Sequence, residues 1–118
     1  MASVPELTFS EQQVLLAILR LQPSGYGVSI RDEIKARTGK EHSFGSIYAV
    51  LERLERNGMV VSREGEPTNA RGGRRKLYFQ ITGTGQEALR ASLNAVDAMR
   101  AGLKVLTPFV LKVREAFA

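Results

Sequence analysis

Ser43 to Ile81 reads SFGSIYAVLERLERNGMVVSREGEPTNARGGRRKLYFQI, and this stretch decides the fold. Its first part has the period of a helix, with Ile47, Val50, Leu51 and Leu54 on one apolar stripe. Ser43 suits the N-cap, and Asn57-Gly58 stops the helix, Gly58 supplying the left-handed backbone that ends many helices. From Met59 the character changes. Val60 and Val61 begin a short strand, and Leu77, Phe79 and Ile81 alternate with Tyr78 and Gln80 in a second one. Between them Glu64 to Lys76, rich in Gly, Pro, Asn and Arg, reads as a long hairpin loop. Two such strands cannot stand alone in water, so they must lean on helices.

Those helices lie on either side. Ser10 followed by Gln13 reads as a capping box, and Val14, Leu15, Ile18, Leu19 and Leu21 form an amphipathic stripe behind it. Pro23, Gly25 and Gly27 break that helix. A second follows, with Tyr26, Ile30 and Ile34 on one face and Gly39 as its C-cap. After the hairpin, Thr84 and Glu87 offer another capping box, and Leu89, Leu93, Val96, Met99, Leu103 and Leu106 recur at coiled-coil spacing. Pro108 interrupts this seam, and Phe109, Val113 and Phe117 mark a last short helical segment. The fold class is therefore mainly α with a small β-hairpin (α+β). The order predicts a winged helix-turn-helix followed by a long C-terminal dimerisation helix. The expected division is a DNA-binding domain over 1–82 and a helical dimerisation segment over 83–118.

Composition narrows the function. The chain has 118 residues and is 43% hydrophobic, enough for one small core. It has no cysteine, so disulfides and thiolate metal sites are excluded. No apolar run is long enough to cross a bilayer, and the N-terminus lacks a signal-peptide layout, so no membrane partner and a cytoplasmic, nucleoid-associated location are expected. Seventeen basic residues against twelve acidic ones leave a net charge of +5, which favours a polyanionic partner. His42 is the only histidine and reads as a polar surface residue; no second imidazole or carboxylate cluster makes it a metal site. No nucleophile–base–orienter set or phosphate loop is present, so neither an enzyme nor a bound cofactor is expected.

The charge sits where a DNA reader would need it. In this architecture the helix just before the hairpin enters the major groove. Its first turn carries Ser43, Gly45, Ser46 and Tyr48; hydroxyls and free helix N–H groups suit phosphate oxygens, and small residues allow close approach. A plainer reading has Ser43 only capping and Tyr48 only packing. Arg53 lies nearer the outer side and is ambiguous, whereas Glu52, Glu55 and Arg56 fit a salt-bridged solvent face. The loop places Arg71, Arg74, Arg75 and Lys76 within six residues, separated by Gly72 and Gly73. A charge run is usually a solvated loop. At the tip of a hairpin behind a recognition helix, this one reads as a wing that meets phosphate or a narrow minor groove.

These residues closely resemble the PadR family of bacterial transcriptional regulators. The likeness rests on Gly25-Tyr26-Gly27, Ser46-Ile47-Tyr48, Leu51-x-Arg53-Leu54, Gly58-Met59-Val60, Arg75-Lys76-x-Tyr78 and Ile81-Thr82-x-x-Gly85, in that order over roughly residues 12 to 90. The resemblance implies a homodimer built by the C-terminal helices, a palindromic operator, and repression relieved by an effector. It also implies that Tyr48 contacts the DNA backbone and that Arg75 and Lys76 sit at the base of the wing. With one substantial helix after the wing, the chain resembles the family's short subgroup. Ala49 replaces a proline common in the family, which a helix accepts. The chain has no tryptophan, so the resemblance does not extend to effector sensing by stacking on an interface tryptophan.

Dimerisation also has its own physical argument. An exposed seam of Leu89, Leu93, Val96, Met99, Leu103 and Leu106 is a larger apolar patch than monomers usually carry, and a twin copy hides it. The alternative is that the long helix packs only on its own first helix. Expected partners are thus double-stranded DNA and a second copy, with any small-molecule effector unidentified. The competing function is a winged helix that binds a partner protein. A single-strand or RNA binder is disfavoured by only 7% aromatic residues.

Overall fold

The computed structural model describes residues 5–66 and 75–103. In chain order these form α1 (Phe9–Leu21), β1 (Gly25–Tyr26), α2 (Gly27–Thr38), α3 (Phe44–Arg56), β2 (Val60–Glu64), β3 (Leu77–Ile81) and α4 (Gly83–Arg100). The expected α+β order of three helices, hairpin and helix is present, with one strand more than the hairpin.

Helix ends follow local chemistry. α1 begins two residues earlier than Ser10 predicts. Thr8 is its cap: the hydroxyl accepts the Glu11 N–H at 3.1 Å, and the Glu11 carboxylate accepts the Thr8 N–H at 2.8 Å. α4 likewise starts from Thr82 rather than Thr84. The Thr82 hydroxyl accepts the Gly85 N–H at 3.0 Å and donates to the Gly58 carbonyl at 2.7 Å, which pins the helix start to the end of α3. That approach is so close that a Cβ on Gly85 would collide with the Met59 carbonyl. Ser43 does cap α3, accepting the Ser46 N–H at 3.1 Å, and Gly39 and Gly58 both take positive φ, 76° and 75°.

Tyr26 is not on a face of α2. It caps that helix from β1, its N–H donating to the Ser29 hydroxyl at 3.0 Å. β1 is only two residues long, too short to show any alternation. It pairs antiparallel with β3, Gly25 against Phe79 and Tyr26 against Tyr78, so the sheet has the order β1-β3-β2. β2 pairs with β3 from Val60–Ile81 out to Glu64–Leu77.

One core joins these parts. Leu15 and Ile18 of α1, Ile30 of α2, Leu51 and Leu54 of α3, and Met59 and Val60 are fully buried, with Phe79 and Ile81 closing the sheet side. Ala88 and Leu89 of α4 belong to this core. Leu89 therefore does not stand in an open seam, because the first turns of α4 already lie against the domain. The helix also ends sooner than its apolar pattern predicts. Ala101 leaves helical geometry and Gly102 takes φ 82°, so Leu103 stands beyond the helix. Leu106, Pro108 and the apolar residues after it lie outside the described residues.

Candidate nucleic-acid interface

α2 and α3 form the helix-turn-helix pair. Ile47, Val50, Leu51 and Leu54 seat α3 in the core, which turns Ser43, Gly45, Ser46 and Ala49 to the surface. Among the described residues nothing lies within 4 Å of a Cβ placed on Gly45, which leaves room at the first turn for a ligand. The Ser46 hydroxyl donates back to the Ser43 carbonyl at 2.9 Å, and the residue is exposed. Tyr48 is half-buried. Its ring packs against Phe44, centroids 5.0 Å apart, and lies over Gly27, where a Cβ would come within 3.0 Å of it. Both readings of Tyr48 thus share one geometry, a ring that packs inward while its residue lies on the first turns of α3. Arg31 of α2 stands over the other aromatic of this pair, 5.3 Å from the Phe44 centroid.

Arg53 has a different neighbour from the one its outer position suggests. Its Nε donates at 3.1 Å to the carboxylate of Glu11, the buried charged residue of α1. Burial alone would raise the Glu11 pKa. The Thr8 N–H, the Arg53 and Thr8 side-chain hydrogen bonds and the Arg53 charge outweigh it, and the carboxyl is held below its ordinary value. Through its Nε, Arg53 thus ties α3 to α1, while its side chain stays 39% exposed. No sequence pattern could pair residues so far apart on different helices.

The wing rises beside this surface. Arg75 and Lys76 sit exposed at its base. Arg75 is within 3.4 Å of Glu64 across the strand pair, and Lys76 lies 4.4 Å over the Tyr26 ring. Arg71 and Arg74 lie outside the described residues. His42, expected at the surface, is half-buried instead: its Nε2 is buried with no hydrogen-bond partner among the described residues, beside a cavity of about 60 Å³ lined by Ser10, Gln13 and Ser46. Among the described residues no group of three His, Cys, Asp or Glu could hold a metal ion, and no helix is long and apolar enough to cross a membrane.

A second surface lies along α4. Leu93, Val96, Met99 and Leu103 are 36, 55, 81 and 51% exposed. α1 extends this patch with Leu16 and Leu19, which flank Leu93 around a groove of about 460 Å³. The sequence reading assigned Leu19 to the stripe of α1 and did not single out Leu16. Both instead face out beside α4.

The profile of the family described as "Transcriptional regulator PadR-like family" matches residues 15–91. No curated protein matches the chain. Among solved structures, a transcriptional regulator from Clostridium thermocellum is similar at 21% identity and a TM-score of 0.68, covering 84% of this chain and 90% of that one. A PadR family regulator from Clostridium difficile R20291 shares 20% identity with a TM-score of 0.61, over 84% of this chain and 97% of that one. A regulator from Thermoplasma acidophilum shares 22% identity with a TM-score of 0.62, over 77% and 85%. The fold is common to all of them, and these proteins are regulators rather than enzymes.

Proposed function

Because the chain belongs to the PadR-like family of transcriptional regulators, we propose that it represses transcription as a homodimer bound to a palindromic DNA duplex. The observation that carries this is the open first turn of α3, with Ser43, Gly45 and Ser46 exposed, next to a wing whose base presents Arg75 and Lys76. A helix N-terminus with free N–H groups and hydroxyls suits phosphate, and small residues admit the groove floor. Arg71 and Arg74 extend the same cationic run in sequence. Tyr48 would meet the backbone beside the Phe44 ring. Glu11 holds the Nε of Arg53, and the side chain, 39% exposed, keeps its terminal nitrogens for a phosphate.

The exposed residues of α4, with Leu103 just beyond its end, support the dimer. Leu93, Val96, Met99 and Leu103, with Leu16 and Leu19 of α1, form a patch that a two-fold related copy would cover. The two recognition helices would then reach successive major grooves about 34 Å apart. A dimer astride two grooves excludes polymerase from that stretch, which is the simplest route to repression. Such a role places the protein on the nucleoid.

The test is selection of bound duplexes from a random DNA pool at two salt concentrations. An enriched inverted repeat with half-sites about one helical turn apart supports the proposal. Binding at low salt with no enriched sequence points to a non-specific architectural binder. No binding at either salt rejects the DNA reading in favour of a protein-binding winged helix.

A further inference from the structure

Arg63 stands on β2, two strands away from β1. Its guanidinium nevertheless donates at 3.1 Å to the carbonyl of Pro23, just ahead of β1. To reach it, the side chain crosses the outer face of β3, where its Cζ lies 4.8 Å from the centroid of the Tyr78 ring. Tyr78 is the register partner of both Arg63 and Tyr26. The two tyrosine rings meet edge to face, centroids 5.9 Å apart, and Lys76 covers Tyr26. Gly65 completes the fit, because a Cβ there would collide with the Tyr78 ring. One layer on the outer face thus binds all three strands.

That layer lies where the core has given out. On the inner face Val60, Phe79 and Ile81 are buried, but at the far end of the hairpin Glu64 and Leu77 are both exposed. The helices therefore bury the root of the hairpin, and among the described residues apolar burial has ended by the Glu64–Leu77 pair. β1 leads directly into α2, so an anchor at Pro23 is an anchor to the helix-turn-helix itself.

We infer that Arg63 is a positioning residue for DNA recognition, a strap that sets the angle of the wing against α2 and α3. This rests on the DNA-binding reading above. The residue is exposed, but its guanidinium is already engaged by the Pro23 carbonyl and the Tyr78 ring, so the contribution inferred for it is geometric. It fixes where Arg75 and Lys76 meet the duplex rather than neutralising a phosphate itself.

The experiment compares wild type, Arg63→Ala, Arg63→Lys and Arg75→Ala on the duplex enriched from the random pool, or on a random-sequence duplex at low salt if none is enriched. Arg63→Ala should weaken binding about tenfold by loss of preorganisation, while the slope of log K against log salt stays at the wild-type value. Arg75→Ala should lower that slope by about one unit. Arg63→Lys keeps the charge but loses the planar fork and stacking, so it should bind like Arg63→Ala, and it carries the test should Arg63→Ala not fold. A slope reduced by about one unit in Arg63→Ala, full rescue by lysine, or unchanged affinity each overturns the inference.

A DNA-free readout keeps the two readings apart. In wild type the Arg63 side-chain protons should show a ring-current shift that disappears in Tyr78→Leu, and absence of the shift overturns the strap. Wild-type protein that shows the shift but binds no duplex would instead remove the DNA reading, and the positioning role with it.

Discussion

Glu11 and Arg53 join the first helix to the third through a 3.1 Å ion pair whose Glu11 side chain is 7% exposed and whose Arg53 side chain is 39% exposed. The same carboxylate caps α1 through the Thr8 N–H. A single buried group thus sets both where α1 starts and how α3 sits on it. α1 carries part of the proposed dimer patch and α3 the proposed reading surface, so this pair lies between the two.

The pair predicts a pH dependence of definite sign. A carboxyl whose folded pKa lies below its unfolded value contributes stability at pH above the unfolded value, and that contribution is lost as pH falls through the folded one. Glu11 is held low by its hydrogen bonds and Arg53. Its share of the stability should therefore be complete at neutral pH, begin to fall at about pH 4.3, the ordinary glutamate value, and be lost as pH drops through the lower folded value. Glu11→Gln should be less stable than wild type at pH 7, by about 1–3 kcal/mol for a buried charge-assisted bond with a partly exposed partner. Urea unfolding from pH 7 to pH 3 checks this: the two curves should converge as pH falls. A gap that stays constant would mean Glu11 acts by packing alone.

Glycine supplies a sharper test of packing. Gly83 and Gly85 both lie in the first turn of α4, but only Gly85 touches the Met59 carbonyl. Gly83→Ala meets nothing within 4 Å among the described residues and should stabilise by up to about 1 kcal/mol through helix propensity. Gly85→Ala should cost about 1–3 kcal/mol, the usual penalty of overpacking. Comparing the two by chemical denaturation separates close approach from conformational freedom. Equal effects would contradict the tight contact between α4 and the end of α3.

Glu64 competes for the wing. It lies 3.4 Å from Arg75, and both side chains are more than half exposed, so the pair adds little to stability. It does reduce the positive potential that DNA would meet. Glu64→Gln should therefore tighten duplex binding and steepen its salt dependence, with the melting temperature nearly unchanged. Fluorescence anisotropy across a salt series reads both quantities. Weaker binding on removal of this carboxylate would show that Glu64 orients Arg75 instead of masking it.

The sequence was informative where periodicity governed and uninformative where tertiary contacts did. Ser43, Gly39 and Gly58 act at the helix ends that their chemistry predicts, and the stripe from Ile47 to Leu54 faces the core. The three-strand sheet was hidden because Gly25 and Tyr26 make too short a strand to alternate. Thr8 and Thr82 won the caps over Ser10 and Thr84 for reasons outside their own turns: the buried Glu11 carboxylate in one case, the Gly58 carbonyl in the other. Arg53 looked like an outward cation because helix periodicity says nothing of a carboxylate on another helix. Arg63 drew no notice, since nothing in its own strand distinguishes it from a solvated side chain. Leu89 repeats the seam's spacing yet is buried, because an apolar stripe does not state which surface covers each residue.

That last distinction yields a separation of stability from assembly. Leu89 is 4% exposed within a single chain, whereas Val96 and Met99 are mostly open. Leu89→Ala should destabilise the fold itself, by about 2–5 kcal/mol as for other buried leucines, with concentration-independent loss of helix. Val96→Glu with Met99→Glu should leave each subunit folded, since neither side chain supports the core, but place charges in the proposed interface. Sedimentation velocity should then show monomers with native circular dichroism, and binding to an inverted repeat should lose its cooperativity. A double variant that still sediments as a dimer would move the interface off α4, to the Leu16 and Leu19 side of α1 or elsewhere. A variant that unfolds would show that α4 has no stable existence without its partner, as in obligate dimers.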